Sequence, residues 1–215
     1  MLAAGSPATQ CSGQAVTLWR TSDGAATWTR VNATGIDAAQ CKDSIGFVDT
    51  QRGYIGAWDP NTQPKIYRTT DGGTTWSSST LPNPPAQRPA AFADFGTVVL
   101  TSAESGGSPT RYFALRSSDR GATWSTASGG PVEAMPIVLV SATRWLQIFL
   151  PDQSQETTDG GASWHSFTTD YSQAAPVAPQ IVFGDANNGY ATVRGSIKRT
   201  TDGGAHWAAI KTPGT

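Results

Sequence analysis

Lysine, glutamate, histidine and cysteine are all scarce in these 215 residues, and each shortage narrows what the chain can be. There are four lysines against eleven arginines. In all, 15 basic residues face 16 acidic ones, and the formal net charge is −1. No excess of positive charge is available to hold nucleic acid or an anionic membrane surface. Charged residues make up 14 % of the chain, with lysine rare, an odd surface for a cytosolic protein. No apolar run approaches the roughly 20 residues that a membrane-spanning helix requires. Met1-Leu2-Ala3-Ala4-Gly5 has neither a basic start nor an apolar stretch, so no signal peptide is expected within this chain. Two histidines (His165, His206) and two cysteines (Cys11, Cys41) are too few for ordinary metal-ligand spacing, and no metal is expected. A disulfide between Cys11 and Cys41 is expected instead. It implies an oxidising compartment, secreted or periplasmic. Phosphate loops and nucleophile motifs are missing too, so no cofactor is expected.

What the chain has is one octapeptide written five times. It reads Ser/Thr-x-Asp-x-Gly-x-Thr-Trp, at Thr21–Trp28, Thr69–Trp76, Ser117–Trp124, Thr157–Trp164 and Thr200–Trp207. Its aspartates are Asp23, Asp71, Asp119, Asp159 and Asp202. The octapeptides recur about every 40 to 50 residues, which is the sequence sign of an array of supersecondary units, most often propeller blades. Between octapeptides the sequence is short runs of β-branched and aromatic residues, separated by Asp, Asn and Gly turns. One unit runs Ile45–Asp49, Gly53–Gly56, Lys65–Arg68 and then the octapeptide. Another runs Ile181–Asp185, Gly189–Thr192, Ile197–Arg199 and then the octapeptide. Each unit therefore predicts four antiparallel strands, here called A to D, with the octapeptide forming the turn from C to D.

The reading is a single all-β domain over 1–215, a β-propeller of four-stranded antiparallel blades. Four blades are complete (44–79, 88–126, 135–168 and 178–210) and one, 1–31, lacks strand A. The array either closes as a five-bladed ring or is a slice of a larger one. In each turn the Asp is expected to accept backbone N–H groups, with weaker help from the Ser/Thr hydroxyl. The Trp is expected to pack between units. Ala25 replaces the glycine of the other copies, so the first turn is expected to be distorted.

These motifs resemble the Asp-box, or BNR, repeat of sialidases, xyloglucan-cleaving glycosidases and sortilin-type receptors. The pairing of Phe-x-Asp-x-x-x-Gly-Tyr (Phe47–Tyr54, Phe183–Tyr190) with Thr-Thr-Asp-Gly-Gly-x-x-Trp looks most like photosystem II assembly-factor-like proteins. The resemblance covers nearly the whole chain. It implies a propeller whose octapeptides are structural turns, and the photosystem-type resemblance implies binding of a protein or pigment partner. Sialidases add an Arg-Ile-Pro motif, which is absent; Arg88-Pro89 is its nearest fragment. Sialidase chemistry is therefore not implied.

A residue type that recurs at one repeat position reads as scaffold, and one that breaks the pattern in a loop reads as site. Trp28, Trp76, Trp124, Trp164 and Trp207 are scaffold by this test. So is Trp145, taken to stand where Tyr54 and Tyr190 stand, at the start of strand B. Trp58 breaks the pattern at the end of strand B and is the leading ligand-binding candidate, with Arg111, Tyr171 and Arg194. Lys42 can also meet polar groups. Octapeptides lie on one face of a propeller, and the B–C and D–A loops lie on the other. The carboxylates of those loops, Glu104, Glu133, Asp59, Asp152 and Asp170, are the pool for an acid/base pair. The first reading is a non-catalytic, extracytoplasmic propeller binding a protein or glycan through this loop face. A glycoside hydrolase, sialidase-like or glucanase-like, using two of these carboxylates, and a purely structural segment of a larger protein, are the alternatives. Neither nucleic acid nor membrane is an expected partner.

Overall fold

A computed structural model of the chain describes residues 2–5, 13–59, 61–82, 87–105, 108–172, 180–193 and 196–211. They are all-β, without helix, in five antiparallel sheets. The first sheet has three strands, β1 (Leu2–Gly5), β2 (Val16–Arg20) and β3 (Thr29–Val31). The second is β4 (Cys41–Phe47), β5 (Gly53–Asp59), β6 (Thr62–Thr69) and β7 (Ser77–Thr80). The third is β8 (Gln87–Phe95), β9 (Val98–Glu104), β10 (Tyr112–Ser117) and β11 (Ser125–Gly129). The fourth is β12 (Val138–Leu139), β13 (Trp145–Gln147), β14 (Gln155–Thr157) and β15 (His165–Ser166). The fifth is β16 (Gln180–Phe183), β17 (Gly189–Val193), β18 (Ser196–Thr200) and β19 (Ala208–Ile210). In each sheet neighbours in sequence are neighbours in space. The chain divides into two compact units: Met1–Gly106 with Leu115–Ser125, and Gly107–Ala114 with Thr126–Thr215.

The five octapeptides make one turn. In the second copy Thr69 Oγ1 donates to Asp71 Oδ1 (2.8 Å) and accepts Gly73 N–H (3.0 Å). Asp71 Oδ1 also accepts Thr75 N–H (2.9 Å), and Oδ2 accepts the Thr75 hydroxyl (2.6 Å). The equivalent bonds recur at Asp23, Asp119 and Asp159. In the fifth copy His206 replaces the hydroxyl residue, and its Nδ1 lies 2.6 Å from Asp202 Oδ2, the place the hydroxyls fill elsewhere.

The expected distortion of the first turn is not seen. Ala25 takes φ +74°, and the Thr21 and Asp23 bonds are intact. The glycine of the other copies answers to its neighbours. A Cβ on Gly121 would meet Tyr54 at 2.5 Å, and one on Gly161 would meet Ser128 Cβ at 2.2 Å. No such neighbour presses on Ala25, which is exposed, so alanine fits there at the cost of its left-handed φ alone.

Within each unit successive sheets pack face to face, and the octapeptide is the clamp. Within the first unit, Leu18, with Val16 and Val31 of the first sheet, packs on Ile55, Ala57, Tyr67 and Trp76 of the second. Tyr54 and Ile66 of the second pack on Val99, Leu115 and Trp124 of the third. Within the second unit, Val138, Leu146 and Ile148 of the fourth sheet pack on Ala191 and Trp207 of the fifth. Backbone hooks reinforce these junctions. Thr34 N–H donates to Thr74 O and its carbonyl accepts Trp76 N–H, both at 2.9 Å. In the second unit Asp170 N–H donates to Ala205 O (2.9 Å), and Thr169 Oγ1 donates to Gly204 O (2.7 Å).

Trp76, Trp124 and Trp207 are buried as expected, while Trp164 is half-buried. Trp28 is the exception at 42 % exposed. Strand register also corrects the placing of Trp145. It pairs with Thr157, the first octapeptide residue, as Gly53 pairs with Thr69 and Gly189 with Thr200. Leu146, and not Trp145, is thus the counterpart of Tyr54 and Tyr190. Where the second and fifth sheets have glycine, a phenylalanine from strand A (Phe47, Phe183) lies over it, and each ring meets the octapeptide Trp edge-on. In the fourth sheet Leu139 stands opposite Trp145, so the indole comes from strand B instead and fills the same space.

Candidate functional site

Of the sequence-predicted residues, the first unit brings Trp58 and Glu104 together. Trp58 lies near the end of β5, opposite Cys41 of β4, and is half-buried. The Arg88 guanidinium sits 4.4 Å from the centre of its ring, a cation–π contact. Arg88 Nη1 also pairs with Glu104 Oε1 at 3.2 Å. Arg88 reaches this position from β8 with φ +49°. The Trp58 Nε1–H is buried and has no hydrogen-bond partner among the described residues. A buried donor left unpaired is costly, so it invites an acceptor.

Asp43 completes the group. Burial pushes its carboxyl above the ordinary range and the Glu104 charge pushes it further, while Arg88 pulls it back. It is open to solvent yet closely surrounded, because it lines a cavity of about 210 Å³ with Gln14, Val16, Lys42, Ser44, Ile45 and Ile55. Asp43 and Arg88 are the functional candidates that sequence reasoning missed. Asp43 ends a D–A loop and was not in the carboxylate pool, and Arg88 stood out only as half of an incomplete motif. A carboxylate lining a concavity, with a guanidinium–carboxylate pair and an indole beside it, can bind the hydroxyls and flat face of a sugar.

The other predicted residues serve the fold. Asp59 is buried and holds the β5–β6 turn: its carboxylate accepts Asn61 N–H (2.7 Å), Thr62 N–H (3.0 Å) and the Thr62 hydroxyl. Burial pushes its pKa up, but these donors outweigh it and hold it below the ordinary value. It is a turn residue and not an acid. The Lys42 Nζ donates to the carbonyls of Asp37 (2.5 Å) and Gln40 (2.6 Å), and burial lowers its pKa. That ammonium pins the loop before β4 and does not offer itself to a ligand. Tyr171, placed among the ligand binders from sequence, is 0 % exposed and meets Trp207 edge-on at 5.6 Å. It is core, because Asp170, beside it, is drawn onto the fifth octapeptide by accepting Trp207 N–H (2.8 Å). In the second unit Arg111 and Glu133 form an exposed ion pair at 3.0 Å, and Asp152 lies in an exposed turn. Arg194 and Cys11 lie outside the described residues. The Cys11–Cys41 bridge therefore stays an expectation, with Cys41 opening β4 beside Trp58. Among the described residues no cluster of three metal-ligating side chains occurs. No helix there is long and apolar enough to cross a membrane.

No family model matches the chain. A xyloglucanase of Paenibacillus sp is 28 % identical over 200 residues, which cover 85 % of this chain and 17 % of that enzyme. Among solved structures, YCF48 from Cyanidioschyzon merolae matches with a TM-score of 0.53 at 17 % identity, over 80 % of this chain and 57 % of its own. An ancestral GH74 enzyme matches with a TM-score of 0.50 at 16 % identity, over 80 % of this chain and 24 % of its own. The chain thus spans a sixth of the curated relative's length and about half of YCF48. At these identities the likeness shows the fold: this is an all-β chain of the β-propeller class, whose sheets are propeller blades.

Proposed function

We propose that the chain is a single, extracytoplasmic Asp-box propeller domain that binds a neutral glycan at the Trp58–Arg88–Glu104–Asp43 corner of its loop face. The observation that carries this reading is the corner itself. Asp43 lines a cavity, and beside it the Arg88 guanidinium lies over an indole with an unpartnered N–H and pairs with a second carboxylate, Glu104. The octapeptides, by contrast, spend their polar groups within their own turns. The xyloglucanase relative supports a plant-type polysaccharide as the glycan and an extracellular setting. The Cys11–Cys41 bridge belongs to the same reading.

One observation favours a second reading, a glycoside hydrolase. The Asp43 carboxyl is raised beside a second carboxylate, which is how a general acid is prepared. Titration calorimetry with xyloglucan oligosaccharides, run beside an assay for new reducing ends, separates the two. Binding without turnover supports the first reading. Turnover that Asp43→Asn abolishes while binding persists supports the second. A chain that neither binds nor cleaves the oligosaccharides overturns both.

A further inference from the structure

The cavity beside the Trp58–Arg88 corner lies between the first and second sheets, wholly within the first unit. Much of its polar lining is already spent on the scaffold. Lys42 Nζ uses its three donors on the carbonyls of Gln14 (3.4 Å), Asp37 (2.5 Å) and Gln40 (2.6 Å). The Lys42 N–H donates to Gln14 Oε1 at 2.6 Å. Ser44 donates its hydroxyl to Pro89 O at 2.9 Å. That carbonyl comes close because Gly56 has no side chain, and a Cβ there would meet it at 2.0 Å. Of the charged groups lining the cavity, Lys42 is thus spent and the Asp43 carboxylate is not; its charged neighbours are Arg88 and Glu104.

The free wall is apolar. It consists of Val16, Ile45 and Ile55. Ile55 is buried, Val16 and Ile45 are half-buried, and all three belong to the core between the two sheets. Packing therefore fixes this wall in place.

Such a lining sorts its occupants. A hydroxyl laid against the three aliphatic side chains loses its water and finds no partner. A methyl group laid there gains from burial. On the Asp43 side a hydroxyl is favoured, because a carboxylate accepts O–H donors. At about 210 Å³ the cavity is smaller than the roughly 300–1,000 Å³ of pockets for drug-sized ligands, so it takes one sugar ring and not a chain.

We infer that this cavity is a subsite for a deoxyhexose, a terminal or side-chain sugar that carries a methyl group where an ordinary hexose carries a hydroxymethyl. The inference rests on the reading of the neighbouring corner as a glycan site. The methyl lies on Val16, Ile45 and Ile55, a ring hydroxyl donates to Asp43, and the rest of the glycan meets the Arg88–Glu104 pair and Trp58.

Titrations followed by methyl NMR test it with paired sugars that differ only at that carbon. Methyl α-L-fucoside is set against methyl α-L-galactoside, and methyl α-L-rhamnoside against methyl α-L-mannoside. At least one deoxy sugar should bind about tenfold more tightly than its hydroxymethyl twin, the low end of what one such group discriminates in a hydrophobic pocket. It should also shift the Val16, Ile45 and Ile55 methyl resonances. Val16→Thr keeps the shape of the wall and adds a hydroxyl, so it should narrow the preference. A xyloglucan oligosaccharide without deoxy sugars, titrated beside them, reports on the corner alone. Twins of equal affinity overturn the subsite and leave the corner standing. So do a preference that Val16→Thr leaves unchanged and deoxy sugars that fail to bind where the oligosaccharide binds. If no sugar binds, the subsite and the corner reading fall together.

Discussion

At the residue scale the octapeptide aspartate organises its turn through its charge. Hydroxyl and amide donors converge on it, led by the Thr27 hydroxyl at Asp23 and the Thr75 hydroxyl at Asp71, and lower each carboxyl from 3.8 to about 2. Asp202 is also held at about 2, led by the His206 amide. A carboxyl lowered on folding contributes stability that is present above its unfolded value and lost as pH falls through its folded one. The melting temperature should therefore hold down to about pH 4 and then decline toward pH 2. Side-chain carboxyl titration by NMR should find these aspartates among the last to protonate. His206 runs the other way. Its hydrogen bond to Asp202 and that residue's charge raise its pKa above 6.5. Its contribution is full below pH 6.5 and is lost as pH rises through the raised value. In His206→Thr the hydroxyl of the other copies returns, and this upper pH dependence should vanish.

At the element scale the strands were legible where turn chemistry and period agreed. The octapeptides, the Asp49–Gly53 and Asp185–Gly189 turns and the flanking β-branched runs predicted the second and fifth sheets. The first sheet has three strands, β1 to β3, where the sequence predicted a blade without strand A. What was not legible depended on register. Counting from strand starts aligned Trp145 with Tyr54, while pairing aligns it with Gly53. The exchange of a strand-A phenylalanine over glycine for a strand-B tryptophan leaves no single-strand signal, because the conserved quantity is the filled volume. Trp145→Ala should cost about 3 to 5 kcal/mol by chemical denaturation. The double change Leu139→Phe with Trp145→Gly should recover part of that loss, since it rebuilds the arrangement of the second and fifth sheets. A double variant no more stable than Trp145→Ala would mean that the two solutions are not interchangeable. The site was legible in part for the same reason. Trp58 stood out by breaking the repeat, and Glu104 by its loop. Arg88 and Asp43 take their roles from neighbours distant in sequence, and Tyr171 and Asp59 read as loop residues until burial and turn bonds assigned them to the scaffold.

At the scale of the whole molecule the proposed function separates support from recognition. Within each unit octapeptides tie one sheet to the next, and in the proposed reading the loops at the other ends of the strands carry recognition. The proposed extracytoplasmic setting adds one covalent expectation. Protein produced under oxidising conditions and denatured without reductant should show no titratable thiol if Cys11 and Cys41 are joined. Two thiols would reject the bridge. The separation itself is tested most directly by comparing Asp71→Ala with Trp58→Ala, measuring melting temperature and xyloglucan-oligosaccharide affinity for both. Asp71→Ala should lower the melting temperature and leave the affinity of the folded protein unchanged. Trp58→Ala should keep the melting temperature and weaken binding by about thirtyfold, the loss expected of a 2 kcal/mol hot spot. An Asp71→Ala protein that melts like the wild type but no longer binds would put recognition in the octapeptides and contradict the account.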